Sequence, residues 1–201
     1  MPPRLSEDEI DDLIYLSRAG EDAELIEMLH ELSARDDSTP ADLLAAARED
    51  RGKATCLHMA SANGHAKTVT LILSHLPVQA KASVTAVPTS EDAGSADADA
   101  ALPPPTYIDM QNAFGNTALH WACLGGHLDI VKLLLSRGAS PAIANDKDQI
   151  PLDLAAFNNH MHVVDHFLAQ SKDIEGDNAH DGGLETQAQD LELADEGSST
   201  T

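Results

Sequence analysis

The sequence predicts an all-α solenoid of about four helix-turn-helix repeats with hairpin fingers, interrupted by a disordered insertion and followed by a disordered tail. One supporting observation is a block of residues that recurs with a period of 33. A second is the composition, which is 42% hydrophobic but only 3% aromatic, as expected of closely packed helices rich in Ala and Leu. A third is the segment 128–136, where six of nine residues are apolar and define a wide buried stripe.

The repeat is clearest in the second half of the chain. Thr117 begins a block that reads Thr-Ala-Leu-His-Trp-Ala-Cys, and Ile150 begins the next block 33 positions later. An earlier block begins at Thr55, 62 positions before Thr117, so about 29 additional residues separate these two copies. A fainter copy precedes it, with Leu13 in the place of Leu57, and its acidic exterior is typical of a terminal cap that faces water.

These blocks predict the organisation of the whole chain. We expect an acidic N-terminal capping repeat at 1–37, a helical linker at 38–53, a repeat at 54–78, a low-complexity insertion at 79–106, a repeat at 107–140, a C-terminal repeat at 141–171 and a disordered acidic tail at 172–201. The insertion and the tail contain too few large apolar side chains to offset the entropy of ordering them.

Particular residues should shape each repeat. Thr55 and Thr117 stand where a helix needs an N-cap, and His58 and His120 follow three residues later, placed to bond a neighbouring turn. A residue with positive φ should end each first helix, namely glycine in two repeats and Asn159 in the last.

The connections between repeats should differ from one another. Residues 42–48 are expected to form a short helix that ends by Gly52 and replaces one hairpin finger. Residues 107–110 are expected to form the strand arm of another finger, which turns at 112–115.

The charge of the chain is strongly negative and unevenly distributed. The net charge is −22, with 15 acidic against 6 basic residues in 1–53 and 9 against 1 in 172–201. Such a surface disfavours direct contact with nucleic acid and with anionic membranes, and it attracts basic partners. Solubility alone is the alternative explanation of the charge.

Other classes of function find little support. The two cysteines, Cys56 and Cys123, indicate a reducing compartment and buried packing thiols. No apolar segment suits a membrane span or a secretory signal. His160, His162 and His166 lack the further ligands that would complete a metal site, and no catalytic or cofactor motif is present. We therefore expect neither an enzyme nor a cofactor.

The motifs at Thr55, Thr117 and Ile150 resemble those of the ankyrin-repeat family, strongly over 54–78 and 112–170 and weakly over 7–37. The resemblance implies a protein-binding module whose ligand lies against the finger tips and the first helix of each repeat. Carried over position by position, the partner-binding residues are Tyr15, Arg18, Arg51, Met59, Asn63, Ala113, Phe114, Asn116, Trp121, Leu124, Asp146, Asp148 and Phe157. Partial burial of Trp121 beneath the groove, and a solvated finger tip at Asp146 and Asp148, are the alternatives to direct contact.

The layout is also similar to that of the fungal ankyrin-repeat chaperones of the third protein of the small ribosomal subunit. The similarity lies in the segments 57–65 and 112–122, the acidic cap and the acidic tail. It implies a monomeric chaperone that shields this basic partner during ribosome biogenesis, in the cytoplasm and the nucleus. A regulatory scaffold or adaptor, in transcription or in the ubiquitin pathway, is the alternative function.

Overall fold

The computed structural model describes the backbone of residues 3–76 and 106–178, with side chains up to residue 170. Of these described residues, those up to Phe167 belong to one compact unit, and those from Leu168 onward belong to a second. The helices of the described residues are α1 (Glu7–Ala19), α2 (Asp22–Asp36), α3 (Pro40–Ala46), α4 (Cys56–Ala62), α5 (Ala66–Ser74), α6 (Ala118–Gly125), α7 (Leu128–Ser136), α8 (Pro151–Phe157) and α9 (Met161–Asn178), with one 3₁₀ turn at Tyr107–Asp109.

The helices stack in the order that the repeat pattern predicts. Each repeat contributes a pair of helices: α1 and α2 form repeat one, α4 and α5 repeat two, α6 and α7 repeat three, and α8 and α9 repeat four. The first helices pack in sequence, α1 on α4, α4 on α6 and α6 on α8, and the second helices α2, α5 and α7 do the same. The predicted all-α solenoid is therefore confirmed for this part of the chain.

The core lies between the stacked helices and consists mainly of aliphatic and small side chains. Leu57 and Leu119 at the seams between repeats are buried, and Ala60, Ala122 and Ala155 allow the helices to approach closely. Leu13 and Leu25 extend the same core into repeat one, so the faint N-terminal copy is a packed repeat.

Buried histidines join neighbouring repeats. His58 Nδ1 lies 3.2 Å from the Thr55 amide nitrogen and 2.8 Å from the Thr55 hydroxyl, and Nε2 lies 2.9 Å from the carbonyl oxygen of Asn116. Because a carbonyl only accepts, Nε2 donates to it and Nδ1 accepts from Thr55. His120 repeats the arrangement between Thr117 and the carbonyl of Gln149. Both threonines occupy the predicted N-cap positions, but their hydroxyls bond histidine.

A second series of imidazoles links the far ends of the helices. His65, His127 and His160 each place Nε2 2.9–3.2 Å from a carbonyl oxygen at the end of the preceding repeat's first helix. The His160 ring covers Gly126, where an added Cβ would lie 2.6 Å from Nδ1 and where φ is +71°. Asn159 has a φ of +59°, which is the positive φ expected of it in repeat four.

Two predicted connections are wrong in detail. Residues 107–110 do not form a strand arm, because the amides of Asp109 and Met110 bond back to Thr106 and Tyr107 and close a 3₁₀ turn. Ile108 in that turn is buried in the core.

The predicted helical linker at 38–53 is also only partly helical. Thr39 and Asp42 form a capping box at the start of α3, and the helix ends at Ala46 rather than continuing to residue 48. Residues 49–54 then form the finger that was expected to be missing, closed by a hydrogen bond of 2.8 Å from the Glu49 amide to the Ala54 carbonyl.

The predicted ends of the disordered segments need a further correction. Helix α9 continues to Asn178, so residues 172–178 of the expected disordered tail are helical. The rest of that tail, 179–201, and residues 79–105 of the expected insertion lie outside the described residues, and their expected disorder stays a prediction. None of the described helices has the length and apolar character that crossing a membrane requires.

The neutral state of His58 makes the stability of the fold depend on pH. Burial lowers the pKa of His58 to about 4. An unfolded histidine has a pKa of about 6.5, so between these values the unfolded chain binds a proton that the folded chain does not. Stability therefore falls as the pH falls through this window, and we expect His58 to account for about 2 kcal/mol between pH 7 and pH 5.

Urea unfolding at pH 7 and at pH 5 checks this expectation. His58→Gln should reduce the loss of stability between the two pH values, whereas His30→Gln, at an exposed position of α2, should leave it unchanged. An equal loss in wild type and His58→Gln would contradict the assignment.

Candidate protein-binding face

The stacking of α1, α4, α6 and α8 brings equivalent residues of the four repeats into rows. Two residues after the repeat-equivalent leucine of each first helix, the row consists of Tyr15, Met59, Trp121 and Leu154. Tyr15 is 65% exposed, and the other three are half-buried. This row is apolar from one end of the described repeats to the other.

A second row lies one helical turn further along the same helices. It consists of Arg18, Ala62, Leu124 and Phe157, and it changes from charged in repeat one to strongly apolar in repeat four. Phe157 is 76% exposed and Leu124 is 37% exposed. Exposed side chains of this size at repeat-equivalent positions define an apolar stripe that suits contact with a protein.

The fingers beside these rows are shaped by two asparagine side chains. Asn112 Oδ1 accepts from the amides of Phe114 and Asn116, and Asn145 Oδ1 accepts in the same way from Lys147 and Gln149. Each asparagine therefore closes its own tight turn.

Neighbouring fingers are also bonded to one another. The amide of Asp146 donates to the Phe114 carbonyl over 3.2 Å, and the amide of Ala113 donates to the Gly52 carbonyl over 2.8 Å. Neighbouring finger tips are thus held side by side, and Phe114 in the middle finger is 62% exposed.

The predicted contact residues fall into three groups in the structure. Ten have exposed positions: Tyr15, Arg18, Arg51, Asn63, Ala113, Phe114, Leu124, Asp146, Asp148 and Phe157. Met59 and Trp121 are half-buried, and the indole nitrogen of Trp121 is buried without a hydrogen-bond partner in the described part of the chain. Asn116 is engaged internally, because its Oδ1 accepts from Asn145 Nδ2 over 2.9 Å.

Sequence reasoning missed one member of the first row. Leu154 stands 33 positions after Trp121, and applying the repeat period to every proposed contact would have included it. Asp148 has a structural reason to occupy its finger, because it has a φ of +57° at the position that glycine occupies in Gly115. Asp is among the few residues that tolerate this conformation.

Acidic side chains of α1 lie at the N-terminal end of this face. Glu9 bonds Arg35 of α2, and this contact holds the pKa of the Glu9 carboxyl below its usual value. The exposed Asp8, Asp11 and Asp12 have no ion pair within the described residues. Unpaired carboxylates of this kind remain available to a basic partner.

The cysteines and histidines considered for catalysis and metal binding are held within the fold by burial or by hydrogen bonds to the backbone. Burial raises the pKa of Cys56 to about 11 and that of Cys123 to about 12, so both thiols are protonated near neutral pH. His160 and His162 bond the carbonyls of Leu124 and Gly126. Among the described residues, no group of three or more His, Cys, Asp or Glu side chains is arranged to hold a metal ion.

The described geometry is that of stacked ankyrin repeats, and comparison with known proteins agrees. A family model described as ankyrin repeats (3 copies) matches residues 94–178. This part of the chain therefore matches the ankyrin-repeat family in sequence, and helices α6 to α9 within it stack as successive repeats.

Particular relatives share parts of this array. Notch-regulated ankyrin repeat-containing protein B of Danio rerio is 38% identical over 58 residues, which is 29% of this chain and 52% of that protein. Oxysterol-binding protein-related protein 1 of Rattus norvegicus is 39% identical over 62 residues, 31% of this chain and 6% of that protein. The chain therefore spans between 6% and about half of the length of these two curated relatives.

One solved structure is similar over most of the chain. It is the crystal structure of the yeast ribosomal protein Rps3 in complex with its chaperone Yar1. The alignment has a TM-score of 0.64 and 29% identity, and it covers 83% of this chain and 95% of the matched chain.

The exposed aromatic residues should contribute little to folding. We expect Phe114→Ala and Phe157→Ala each to change the free energy of unfolding by no more than about 0.5 kcal/mol, because substitutions of exposed side chains remove few internal contacts. Leu119→Ala, at a buried seam position, should cost about 2–5 kcal/mol. Urea unfolding followed by the fluorescence of Trp121 measures all three, and a cost above about 1 kcal/mol for either phenylalanine would assign it to the core.

Proposed function

We propose that this protein is a dedicated chaperone that binds and shields a basic ribosomal protein of the small subunit, the counterpart of Rps3, during ribosome biogenesis. The observation that carries the proposal is the similarity to Yar1, the chaperone of Rps3, which covers 95% of the matched chain. On this proposal the protein acts as a monomer in the cytoplasm and the nucleus, and it has no catalytic role, no cofactor and no direct contact with nucleic acid or membrane.

The charge distribution supports a basic client. The exposed carboxylates of α1 stand at one end of the apolar rows, and residues 1–53 carry 15 acids against 6 basic residues. The described repeats beyond residue 53 carry 6 acids against 4 basic residues, so the middle of the face is close to neutral. A basic protein would be attracted by the acidic cap and then held by apolar contact.

An adaptor function is the alternative. The similarity to the Notch-regulated ankyrin repeat-containing proteins is the observation that favours it. The stretch shared with them is only 58 residues long. The exposed carboxylates of α1 suit a basic client and therefore favour the chaperone.

The client is tested by binding purified yeast Rps3 to the full chain. We expect a 1:1 complex whose dissociation constant rises about tenfold between 0.1 M and 0.5 M salt, because the screening length falls from about 10 Å at 0.1 M to about 3 Å at 1 M. No complex, or affinity that is independent of salt, would contradict the proposal. An acidic protein recovered as the main partner would favour the adaptor instead.

The binding face is tested with a double variant, Phe114→Ala with Trp121→Leu. Leucine is chosen at 121 because Leu154 already occupies the equivalent position of repeat four. Loss of two central aromatic contacts should weaken Rps3 binding about tenfold or more, since such residues dominate interface energies. Ile26→Ala removes an exposed apolar side chain from α2, which is a second helix, and serves as the matched control. Equal affinity of the double variant and the control would place the client elsewhere.

A further inference from the structure

The outer side of repeat four retains apolar residues at positions that are buried in repeat three. Four apolar residues of α6 and α7, the helices of repeat three, are at most 1% exposed: Leu119, Cys123, Val131 and Leu134. Leu119 and Cys123 lie on α6, on which α8 of the next repeat packs, so the following repeat contributes to their burial. The same side of repeat four has no following repeat within the described residues.

The equivalent residues of repeat four define what we term the end face. Leu152, Val164 and Phe167 are half-buried there, Ala156 is exposed, and Met161 is 51% exposed. These side chains are as apolar as the seam between repeats three and four. A capping repeat usually has a polar outer face, so the end face suits a further protein surface.

Acidic residues replace neutral or basic ones on this side of repeat four. Asp153 stands where repeat three has His120, and its Oδ2 accepts from the Ile150 amide over 2.9 Å. His120 bonds forward to the finger of the next repeat, whereas Asp153 has no donor with which to do so. Asp165 is exposed where repeat three has Lys132, and the sequence has no Lys or Arg from 148 to 171.

Charge selects among the possible occupants of the end face. A second copy of the chain would bring another net charge of −22 to an acidic rim. Residues 179–201 of the chain itself contain six acids and no Lys or Arg. Both occupants place like charges together, which costs free energy at close range.

We propose that the end face docks a basic segment of the client that also carries apolar side chains, as a contact additional to the rows on the first helices. The proposal rests on the proposed function in that the client is a basic protein. Apolar side chains of the segment cover Met161 and Ala156, and its Lys or Arg side chains lie against Asp153 and Asp165.

A pair of opposite charge substitutions tests the end face. Ala156→Arg and Ala156→Glu place side chains of similar length at one exposed position, so a purely steric effect is shared by both. With yeast Rps3 as the probe, we expect Ala156→Arg to weaken binding at least fivefold and Ala156→Glu to leave it unchanged or strengthen it. Equal effects of both variants, or no effect of either, would overturn the proposal. Met161→Gln should weaken binding without introducing any charge.

Site-directed crosslinking identifies the occupant directly. The two native cysteines are buried, so Ala156→Cys provides a single accessible thiol for a photo-crosslinker. Capture of Rps3 from this position supports the proposal, and capture of a second copy or of the chain's own residues 179–201 overturns it. Cysteine at Ile26 provides a control position on α2.

A wrong client and a wrong end face give different results. If wild type does not bind Rps3, the proposed function fails, and the end face is then judged with a synthetic 20-residue peptide of Leu and Lys. Weaker binding of that peptide to Ala156→Arg than to Ala156→Glu, each relative to wild type, supports a basic apolar occupant. Equal binding to the two variants overturns it.

Discussion

The structure depends on a neutral imidazole buried between successive repeats. At His58 and His120, one ring nitrogen accepts from the threonine that begins the helix, and the other donates to a carbonyl in the next finger. A protonated ring would have two donors and could not accept from Thr55 or Thr117, so the arrangement requires the neutral form. Burial supplies it by lowering the pKa of both histidines. The start of one helix and the position of the following finger are therefore fixed by the same ring.

The binding face follows from that constraint. When each finger is bonded to the preceding repeat, the Asn112 and Asn145 turns lie side by side, and their tips are held by a further bond from Asp146 to the Phe114 carbonyl. Equivalent positions of the first helices then fall into rows, and a residue such as Tyr15 or Phe157 is exposed because of its place in the repeat. The protein thus presents aromatic side chains from a rigid frame, which lowers the entropy lost on binding.

Periodicity predicted most of the fold, and it failed where a segment departs from the period. The offset of 33 placed α6, α7 and α8 and the start of α9 correctly, and it placed Asn159 at a positive φ. The finger at 49–54 was missed because it has no Asn-x-x-Gly pattern, and Lys53, with a φ of +51°, takes the conformation that Gly115 has in the next finger. The turn at 107–109 was taken for a strand because local sequence does not show that the Asp109 carboxylate accepts from the Ser140 amide over 2.9 Å. The exposed members of the candidate site follow from repeat equivalence, whereas the internal role of Asn116 depends on a contact with Asn145, which is 29 residues away.

The replacement of His120 by Asp153 connects the frame to the proposed function. Asp153 preserves the bond to the amide at the start of its helix and gives up the bond to a following finger, so the series of buried imidazoles stops in repeat four. A carboxylate in this position also makes the outer side of the repeat negative, where repeat three has a neutral histidine. Because the apolar residues beside it are retained, the same change that ends the hydrogen-bonded series leaves a surface suited to a basic protein. The acidic α1 and the acidic repeat four then stand at opposite ends of a nearly neutral middle. That distribution favours a long basic client, which contacts several repeats at once, over a small ligand held at one point.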